Sequence, residues 1–191
     1  MNMCNKKEKE NQILSNKKIF TLIGMMGTGK SKFGRLVANN LAYKFYDVDT
    51  LIESDQKNTI KTIFQEKGEP FFRKIEKNTI KNLISKIITK EEKSILSLGG
   101  GAFDDQETRV RLLSSTYVIW LNTPVDILVK RVGNGLKRPM IKGDVNASIN
   151  NLLSKRIRYY STCHYQLNTN DLSEKQILDK ILTKISNKKS K

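Results

Sequence analysis

The sequence of 191 residues predicts an α/β fold in which helices sandwich a five-stranded parallel sheet. Three observations support this prediction. Short apolar runs alternate with segments whose apolar residues recur at helical spacing, as they do in chains that form parallel sheets. The stretch GMMGTGKS (24–31) lies between the first apolar run and a helical segment, which is the context of a phosphate-binding loop. Acidic or glycine-rich stretches follow two later strands, and ligands bind at that end of such strands.

The first half of the chain carries strand, helix and strand signals in that order. KIFTLIG (18–24) is typical of a buried strand, 30–41 has apolar residues at helical spacing, and YKFYDVD (43–49) predicts a second strand. Apolar residues at 60–64 predict a short helix, and those at 80–87 predict a longer one. The phosphate-binding loop therefore joins the first strand to the first helix.

The second half repeats the alternation. SILSLGGG (94–101) predicts a third strand that runs into a glycine turn, and TYVIWLN (116–122) predicts a fourth strand after a helix at 109–113. The remaining predicted elements are a helix after Pro124, a glycine-rich loop at 133–144, a helix to about Tyr160, a short strand near Tyr165–Asn168 and a last helix through Ile185.

The composition indicates one globular domain. The length suits a single domain, and 38% hydrophobic with 28% charged residues is ordinary for a globular protein. No apolar run approaches the roughly 20 residues of a membrane span, and the polar N-terminus lacks the apolar core of a secretory signal. We therefore expect one domain over 17–186, polar tails at 1–16 and 187–191, a monomer, and a cytoplasmic location without membrane contact.

The formal net charge of +16 raises the question of a nucleic-acid partner. The basic residues are spread over the tails, the middle helices and a late arginine cluster, and no aromatic-rich reading surface accompanies them. We therefore expect no specific nucleic-acid partner, because a positive field also favours an anionic small-molecule substrate. A nucleotide-binding regulatory protein associated with nucleic acid is the alternative from another functional class.

The phosphate-binding loop predicts a nucleoside triphosphate as ligand. Gly24, Gly27 and Gly29 allow the backbone to turn its N–H groups inward around a phosphate. Lys30 supplies a positive charge to the transferred phosphoryl oxygens, and the Ser31 hydroxyl is placed to hold Mg²⁺. The N-terminus of the following helix adds its own positive potential. This motif does not identify the phosphoryl acceptor.

Two further groups of charged residues bear on the acceptor. Asp47 and Asp49 lie two apart at a predicted strand end, so they can share one face of the strand; the alternative is a pair of turn-forming or helix-capping aspartates. Arg73 and Glu76 are neighbours on a helix surface, and the alternative for them is an exposed ion pair of little energetic value. A planar guanidinium suits bidentate capture of a carboxylate, which small acids carry and nucleoside acceptors lack.

With these residues the sequence resembles the shikimate kinase family, within the nucleoside-monophosphate-kinase-like group. The resemblance covers roughly 18–182 and implies a three-layer P-loop fold with a substrate-binding region at about 49–82 and a mobile lid at about 133–144. It rests on five stretches in a fixed order: GMMGTGKS (24–31), DVD (47–49), GEPFFRKIE (68–76), LGGGA (98–102) and KRPM (137–140).

The resemblance implies ATP-dependent phosphorylation of the 3-hydroxyl of shikimate with Mg²⁺, and a related small-molecule kinase, such as a gluconate or nucleoside-monophosphate kinase, is the alternative. The implied catalytic residues are Lys30, Asp49 and Arg138. The implied nucleotide-binding residues are Gly27, Thr28, Gly29, Lys30, Ser31, Lys32, Arg131 and Arg138. The implied substrate-binding residues are Asp49, Arg73, Gly100, Gly101 and Arg156, and the implied metal-binding residues are Ser31 and Asp47.

On the substrate side, the resemblance gives Asp49 the role of binding hydroxyls next to the attacking one, either as base or as positioner. Arg73 would pair with the substrate carboxylate, and Glu76 would hold Arg73 in place. Arg156 would be the second arginine for this carboxylate, although Arg158, two positions away on another face of the helix, competes for the assignment.

On the nucleotide side, the resemblance makes Arg138 the lid arginine that swings over the phosphates, where its charge would stabilise the transferred group. Arg131 would lie over the adenine; its alternative is a cation at a helix C-terminus. Ser97 stands where many phosphate-loop enzymes carry an acidic residue, so Asp47 would support the metal instead.

Overall fold

The sheet lies at the centre of the molecule. In the computed structural model, residues 17–135, 139–141 and 143–186 are described. The strands within them are β1 (Ile19–Ile23), β2 (Lys44–Asp47), β3 (Ser94–Ser97), β4 (Tyr117–Asn122) and β5 (Tyr165–Asn168). All neighbouring strands are parallel, in the order β2-β3-β1-β4-β5. The predicted α/β class and parallel five-stranded sheet are confirmed for the described residues.

The strand order places β1 and β3 side by side at the point where the chain changes direction across the sheet. Phe20 of β1 pairs with Ile95 of β3 on one side and with Tyr117 of β4 on the other. The chain leaves β1 toward β2 at one edge and leaves β3 toward β4 on the opposite side of β1. Ligands bind at such a switch point, outside the carboxyl ends of the strands. The phosphate-binding loop follows β1, and the glycine turn follows β3.

Helices cover both faces of the sheet. They are α1 (Lys30–Leu41), α2 (Val48–Gln56), α3 (Ile60–Thr89), α4 (Gln106–Ser115), α5 (Val125–Val132), α6 (Val145–Tyr160) and α7 (Glu174–Ser186). On one face, Phe20 packs in a buried cluster with Phe33 of α1 and Ile181 of α7. On the other, Ile23 belongs to a buried cluster with Ile80 of α3. Alternate residues of β1 thus face opposite cores, which gives the three layers.

The second predicted strand is shorter than expected. β2 ends at Asp47, and Val48 is the first residue of α2. Asp47 is the N-cap of this helix, because its carboxylate accepts a hydrogen bond from the backbone N–H of Thr50 at 3.3 Å. The prediction that Asp47 and Asp49 share one face of a strand is therefore wrong. The helix-capping alternative describes Asp47, and Asp49 lies in the first helical turn.

α3 consists of two helical segments separated at Gly68, and the helices predicted at 60–64 and 80–87 lie one in each segment. Gly68 has φ 78° and ψ 169°, outside the helical region and at a positive φ that favours glycine. Pro70 follows in the first turn of the second segment, where its missing N–H costs no helical hydrogen bond. This break sets the start of the helical turn that carries Arg73 and Glu76.

The third predicted strand ends at Ser97 and is followed by a glycine turn, as the sequence predicts. No helix of the described chain is long and apolar enough to cross a membrane. The predicted tails and Arg138 lie outside the described residues, and the predicted lid at 133–144 is described only in part.

Candidate active site

A cavity of about 530 Å³ opens at the carboxyl edge of the sheet, beside β1 and β3. Its walls come from the phosphate-binding loop, α2, α3, the turn after β3 and α6. Pro139 and Met140, in the described part of the predicted lid, also line it. The sequence-predicted site residues that line the cavity are Ser31, Asp47, Asp49, Arg73, Gly100, Gly101 and Arg156.

The phosphate-binding loop is folded around its own backbone. Gly27 and Gly29 have φ of 82° and 88°, and Gly29 is the N-cap of α1. The buried Lys30 donates from Nζ to the carbonyl oxygens of Gly24 and Met25, both at 2.9 Å. The Thr28 hydroxyl donates to the same Met25 carbonyl at 2.9 Å. The lysine charge is thus held within the loop, at the N-terminus of α1.

The two predicted metal ligands stand at one end of the cavity. The Ser31 and Ser97 hydroxyl oxygens are 3.3 Å apart, and the Asp47 carboxylate lines the same cavity as Ser31. Within the described ranges, no cluster of three or more acidic, histidine or cysteine side chains could hold a metal ion. This sparse oxygen set suits Mg²⁺, which keeps several waters and takes other ligands from substrate phosphates.

Two predicted nucleotide-binding cations have different hydrogen-bond and ion-pair partners. Arg131, near the end of α5, donates from Nη1 to the Gly27 carbonyl oxygen at 3.2 Å, so its guanidinium lies at the phosphate-binding loop. The Lys32 side chain instead pairs with Glu174 of α7 at 2.5 Å. Any contribution of Lys32 to phosphate binding would therefore come from its backbone N–H.

Arg73 is held by two glutamates. It donates from Nη1 to Glu76 Oε2 at 2.7 Å, and from Nε and Nη2 to Glu69 Oε1 at 3.2 and 3.1 Å. Burial acts to lower the pKa of Arg73, but the charges of the two glutamates outweigh it and raise the pKa. The alternative of an exposed ion pair is excluded for Arg73 and Glu76, since Glu76 is 2% exposed.

Glu76 is a buried carboxyl group with an unusual pKa. Burial raises this pKa to about 7 against the opposing charge of Arg73, and the neighbouring Asp49 raises it further. Within the described residues, its Oε1 has no hydrogen-bond partner. A Cβ built on Gly99 would lie 2.8 Å from both Glu76 Oε1 and Asp49 Oδ1. Only a residue without a side chain leaves room for both carboxylates at this point.

The next two glycines of the turn, Gly100 and Gly101, lie against different parts of the site. A Cβ on Gly101 would lie 2.7 Å from Arg73 Cζ, so the guanidinium packs directly against the bare backbone. Gly100 faces the phosphate-binding loop, and a Cβ there would meet only ordinary contacts at 3.5–3.6 Å. Its carbonyl oxygen accepts a hydrogen bond from the Tyr160 hydroxyl at 2.5 Å. Gly100 and Gly101 are the predicted site residues of the LGGGA stretch, and Gly99 is a third glycine of this stretch that contacts site side chains.

Arg156 and Arg158 were both candidates for the second arginine of the substrate carboxylate, and they lie on different faces of α6. Arg156 is 3% exposed, lines the cavity and donates from Nε to Asp104 Oδ2 at 2.9 Å. Arg158 is exposed and donates to the Tyr159 hydroxyl at 2.7 Å. Asp104 was not predicted as a site residue, because nothing in its local sequence indicates a contact 52 residues away.

The arrangement has two chemically distinct parts. The guanidinium groups of Arg73 and Arg156, which both line the cavity, could bind a carboxylate. The phosphate-binding loop lies next to Arg156, whose Nη1 is 3.8 Å from Met25 Sδ, and the turn at Gly100 approaches Gly24 and Met26. Asp49 lines the cavity with both groups. Such a site can bring a hydroxyl group of a small acid to the terminal phosphate of a nucleotide.

Comparisons with known proteins agree with this geometry. The family model described as shikimate kinase matches residues 26–186. The chain is 35% identical to the shikimate kinase of Persephonella marina over 86% of this chain and 96% of that one. It is 38% identical to the shikimate kinase of Zymomonas mobilis over 85% and 90% of the two chains. The solved structure of shikimate kinase from Acinetobacter baumannii in complex with shikimate matches with a TM-score of 0.84, at 30% identity, over 95% of this chain and 99% of that one.

The raised pKa of Glu76 predicts a pH-dependent stability. The pKa of this carboxyl group is near its usual value of 4.5 in the unfolded chain and about 7 in the folded protein, so the folded state binds more protons between these pH values. Its stabilising contribution is complete below the lower pKa and is lost as the pH rises through the upper one. The expected loss is about 3 kcal/mol in the free energy of unfolding.

Urea titrations at pH 5 and pH 8 check this expectation. Glu76→Gln cannot ionise, so the stability of the variant relative to wild type should improve between pH 5 and pH 8. Glu69→Gln, which removes an exposed carboxylate from the same arginine, is the matched control. An equal difference between Glu76→Gln and wild type at both pH values would contradict the assignment.

Proposed function

The chain belongs to the shikimate kinase family, and from this membership and the geometry of the cavity we propose that it transfers the terminal phosphoryl group of ATP to the 3-hydroxyl of shikimate. One observation carries the proposal: the cavity that Ser31 lines at the phosphate-binding loop also holds two buried or part-buried arginines and Asp49. That combination matches an acceptor with one carboxylate and a nearby hydroxyl. The related Acinetobacter baumannii enzyme was solved in complex with shikimate.

In the proposed complex the substrate carboxylate lies between Arg73 and Arg156. Charge-assisted hydrogen bonds from guanidinium groups are among the strongest in proteins, and a bidentate contact also fixes orientation. Arg156 is buried on α6 and Arg73 packs against Gly101 across the turn, so the two side chains approach the ligand from different elements. Binding at this end would fix the ring of the acceptor relative to the phosphate-binding loop.

Asp49 would receive the hydroxyl group of the acceptor. It lies in the first turn of α2, beside Glu76, in the wall of the cavity. An ionised carboxylate can hold the attacking hydroxyl by accepting its hydrogen bond, and can also take its proton as the new O–P bond forms. Both roles need the carboxylate to be ionised.

At the phosphate end, Lys30 would exchange its bonds to the loop carbonyls for bonds to the phosphoryl oxygens. Ser31 and Asp47 would hold Mg²⁺, which when bound neutralises charge on the phosphates. Arg131 would contact the nucleotide from the loop side.

Four further expectations stay predictions. The role of Arg138 as the lid arginine comes from the family resemblance. The monomeric state, the cytoplasmic location and the absence of a specific nucleic-acid partner come from the sequence.

ADP release from Mg-ATP, measured with different acceptors, tests the proposed reaction. We expect turnover with shikimate and none above background with gluconate or a panel of nucleoside monophosphates, because gluconate lacks the ring geometry and the nucleosides lack a carboxylate. Turnover with one of those acceptors in place of shikimate would retain the phosphate-binding loop and reject the proposed substrate.

The two arginines should act on the affinity for the acceptor. Arg73→Ala and Arg156→Ala each remove a charge-assisted contact, so the KM for shikimate should rise about tenfold or more. The KM for ATP should change little, because neither side chain belongs to the phosphate-binding loop. Steady-state kinetics with each substrate varied in turn measures both values.

Arg158→Ala is the matched control for Arg156→Ala. Arg158 is on the same helix but exposed, so its removal should leave both KM values unchanged. Equal increases in the KM for shikimate and for ATP after either Arg73→Ala or Arg156→Ala would exclude the carboxylate-binding role.

The turn glycines predict two different kinetic defects. In Gly99→Ala, the new methyl group would displace the Asp49 and Glu76 carboxylates, so we expect mainly a lower kcat. In Gly101→Ala, it would displace the Arg73 guanidinium, so we expect mainly a higher KM for shikimate. Steady-state kinetics of the two variants, beside their melting temperatures, separates these effects. The same pattern in both variants would contradict this division.

A further inference from the structure

Asp104 lies just outside the predicted site residues, on the turn that joins β3 to α4. Three contacts connect this turn to α6. The Tyr160 hydroxyl donates a hydrogen bond to the Gly100 carbonyl oxygen. Arg156 Nε donates to Asp104 Oδ2 at 2.9 Å. Arg109 donates to the Asp104 carbonyl oxygen at 3.0 Å, and its guanidinium lies 4.5 Å from the centre of the Tyr159 ring. Asp104 is thus fixed at its backbone and joined to α6 by its side chain.

The partner of Asp104 is a buried cation. The Arg156 side chain is 4% exposed, and that of Asp104 is 35% exposed. A buried guanidinium without a counter-charge is costly. Among the described residues, Asp104 is the acid within ion-pair distance of Arg156. The charge of Asp104 therefore makes it possible for Arg156 to lie at the bottom of the cavity rather than in solvent.

The geometry of this contact also decides which donors of Arg156 face a ligand. Asp104 accepts a hydrogen bond from the Nε–H of Arg156, which is on the side of the guanidinium nearer the backbone. Nη1 lies 3.8 Å from Met25 Sδ, a weak acceptor, and 3.6 Å from the position of a Cβ on Gly100. The Nη end thus points to the phosphate-binding loop and the glycine turn.

Arg73 differs, because its Nε, Nη1 and Nη2 all donate to Glu69 or Glu76. An incoming carboxylate would have to share or displace one of these bonds. Arg156 instead donates from Nε to Asp104 and has Nη1 beside the weak acceptor Met25 Sδ. It also hydrogen-bonds the Tyr160 hydroxyl, a neutral group that a ligand carboxylate can replace. It is the arginine whose guanidinium is already oriented for a carboxylate.

We propose that Asp104 is a positioning residue for the substrate carboxylate: it holds Arg156 by Nε so that the Nη end of the guanidinium is directed into the cavity. This inference rests on the proposed function, since it takes the carboxylate to be that of the acceptor. Asp104 touches neither reacting group. Its removal should therefore weaken acceptor binding through Arg156 and leave the phosphate-binding loop as it is.

Steady-state kinetics of Asp104→Ala and Asp104→Asn tests the inference. We expect Asp104→Ala to raise the KM for shikimate about tenfold, as for the loss of a hydrogen bond between charged groups, with kcat and the KM for ATP within about twofold of wild type. Asp104→Asn keeps an acceptor oxygen of the same size without the charge, so it should restore part of the loss.

Asp105→Asn is the matched control. Asp105 carries the same side chain one position later, but it caps α4 at the Thr108 N–H (2.8 Å) and lies 3.6 Å from Lys77. Asparagine is an equally good helix cap, so the fold of this turn should be kept. We expect Asp105→Asn to leave the KM for shikimate unchanged.

A substrate analogue supplies a readout that a purely structural role of Asp104 would not change. Isothermal titration can compare shikimate with its neutral carboxamide in wild type and in each Asp104 variant. Wild type should prefer the acid, and Asp104→Ala should reduce this preference about tenfold. Because the titration needs only folded protein, Asp104→Asn can serve for it if Asp104→Ala does not fold.

The outcomes separate this inference from the proposed function. A wild-type enzyme that does not turn over shikimate rejects the proposed function itself. An active wild type whose Asp104 variants keep the KM for shikimate and the preference for the acid overturns the role of Asp104 alone. Equal losses with shikimate and with the carboxamide, or a fall in kcat without a change in KM, would also overturn it.

Discussion

The close approach of charged side chains around the turn 99–101 is the constraint on which the site depends. The carboxylates of Asp49 and Glu76 meet at Gly99, and the guanidinium of Arg73 lies against Gly101. A side chain at either position would have to occupy space that these charges already fill. The turn follows β3, which neighbours β1, so the same glycines also approach the phosphate-binding loop. Sheet topology thus brings the two ends of the site together, and the missing side chains determine their separation.

Charge balance explains why this arrangement can be buried. Each guanidinium has an acid of its own: Glu76 with Arg73, and Asp104 with Arg156. Such pairs do little for stability by themselves, because desolvation offsets their attraction. These ion pairs instead fix the orientation of each arginine, because a guanidinium that is hydrogen-bonded along one edge keeps the N–H donors of its other edge in place. The pKa of Glu76, raised to about 7 by burial, shows that the desolvation cost is not fully compensated even beside Arg73.

The sequence predicted the architecture and the phosphate-binding loop because both depend on local patterns, whereas the roles of Asp49, Arg73 and Arg156 were implied by the family resemblance. The alternation of apolar runs gave the strands, and the glycine and lysine spacing gave the phosphate-binding loop. One prediction was wrong because two local preferences competed. Asp47 ends its strand because its side chain caps the next helix, so Asp47 and Asp49 do not share a strand face. Asp104 was missed for a different reason: its partner Arg156 is 52 residues away and leaves no periodic signal.

The two arginines should contribute to acceptor binding in different ways. The bonds between Arg73 and Glu69 involve a part-exposed pair with side-chain exposures of 28% and 45%, so exchanging them for a ligand carboxylate costs little. The bond between Arg156 and Asp104 is more buried and need not be broken, because it uses the edge of the guanidinium that faces away from the Nη end. In the proposed complex, Arg156 would therefore bind the acceptor carboxylate without reorganisation, whereas Arg73 would exchange one carboxylate for another. In such a site the fixed guanidinium of Arg156 would contribute most of the affinity for the carboxylate, and the guanidinium of Arg73 could adjust its position to the ligand.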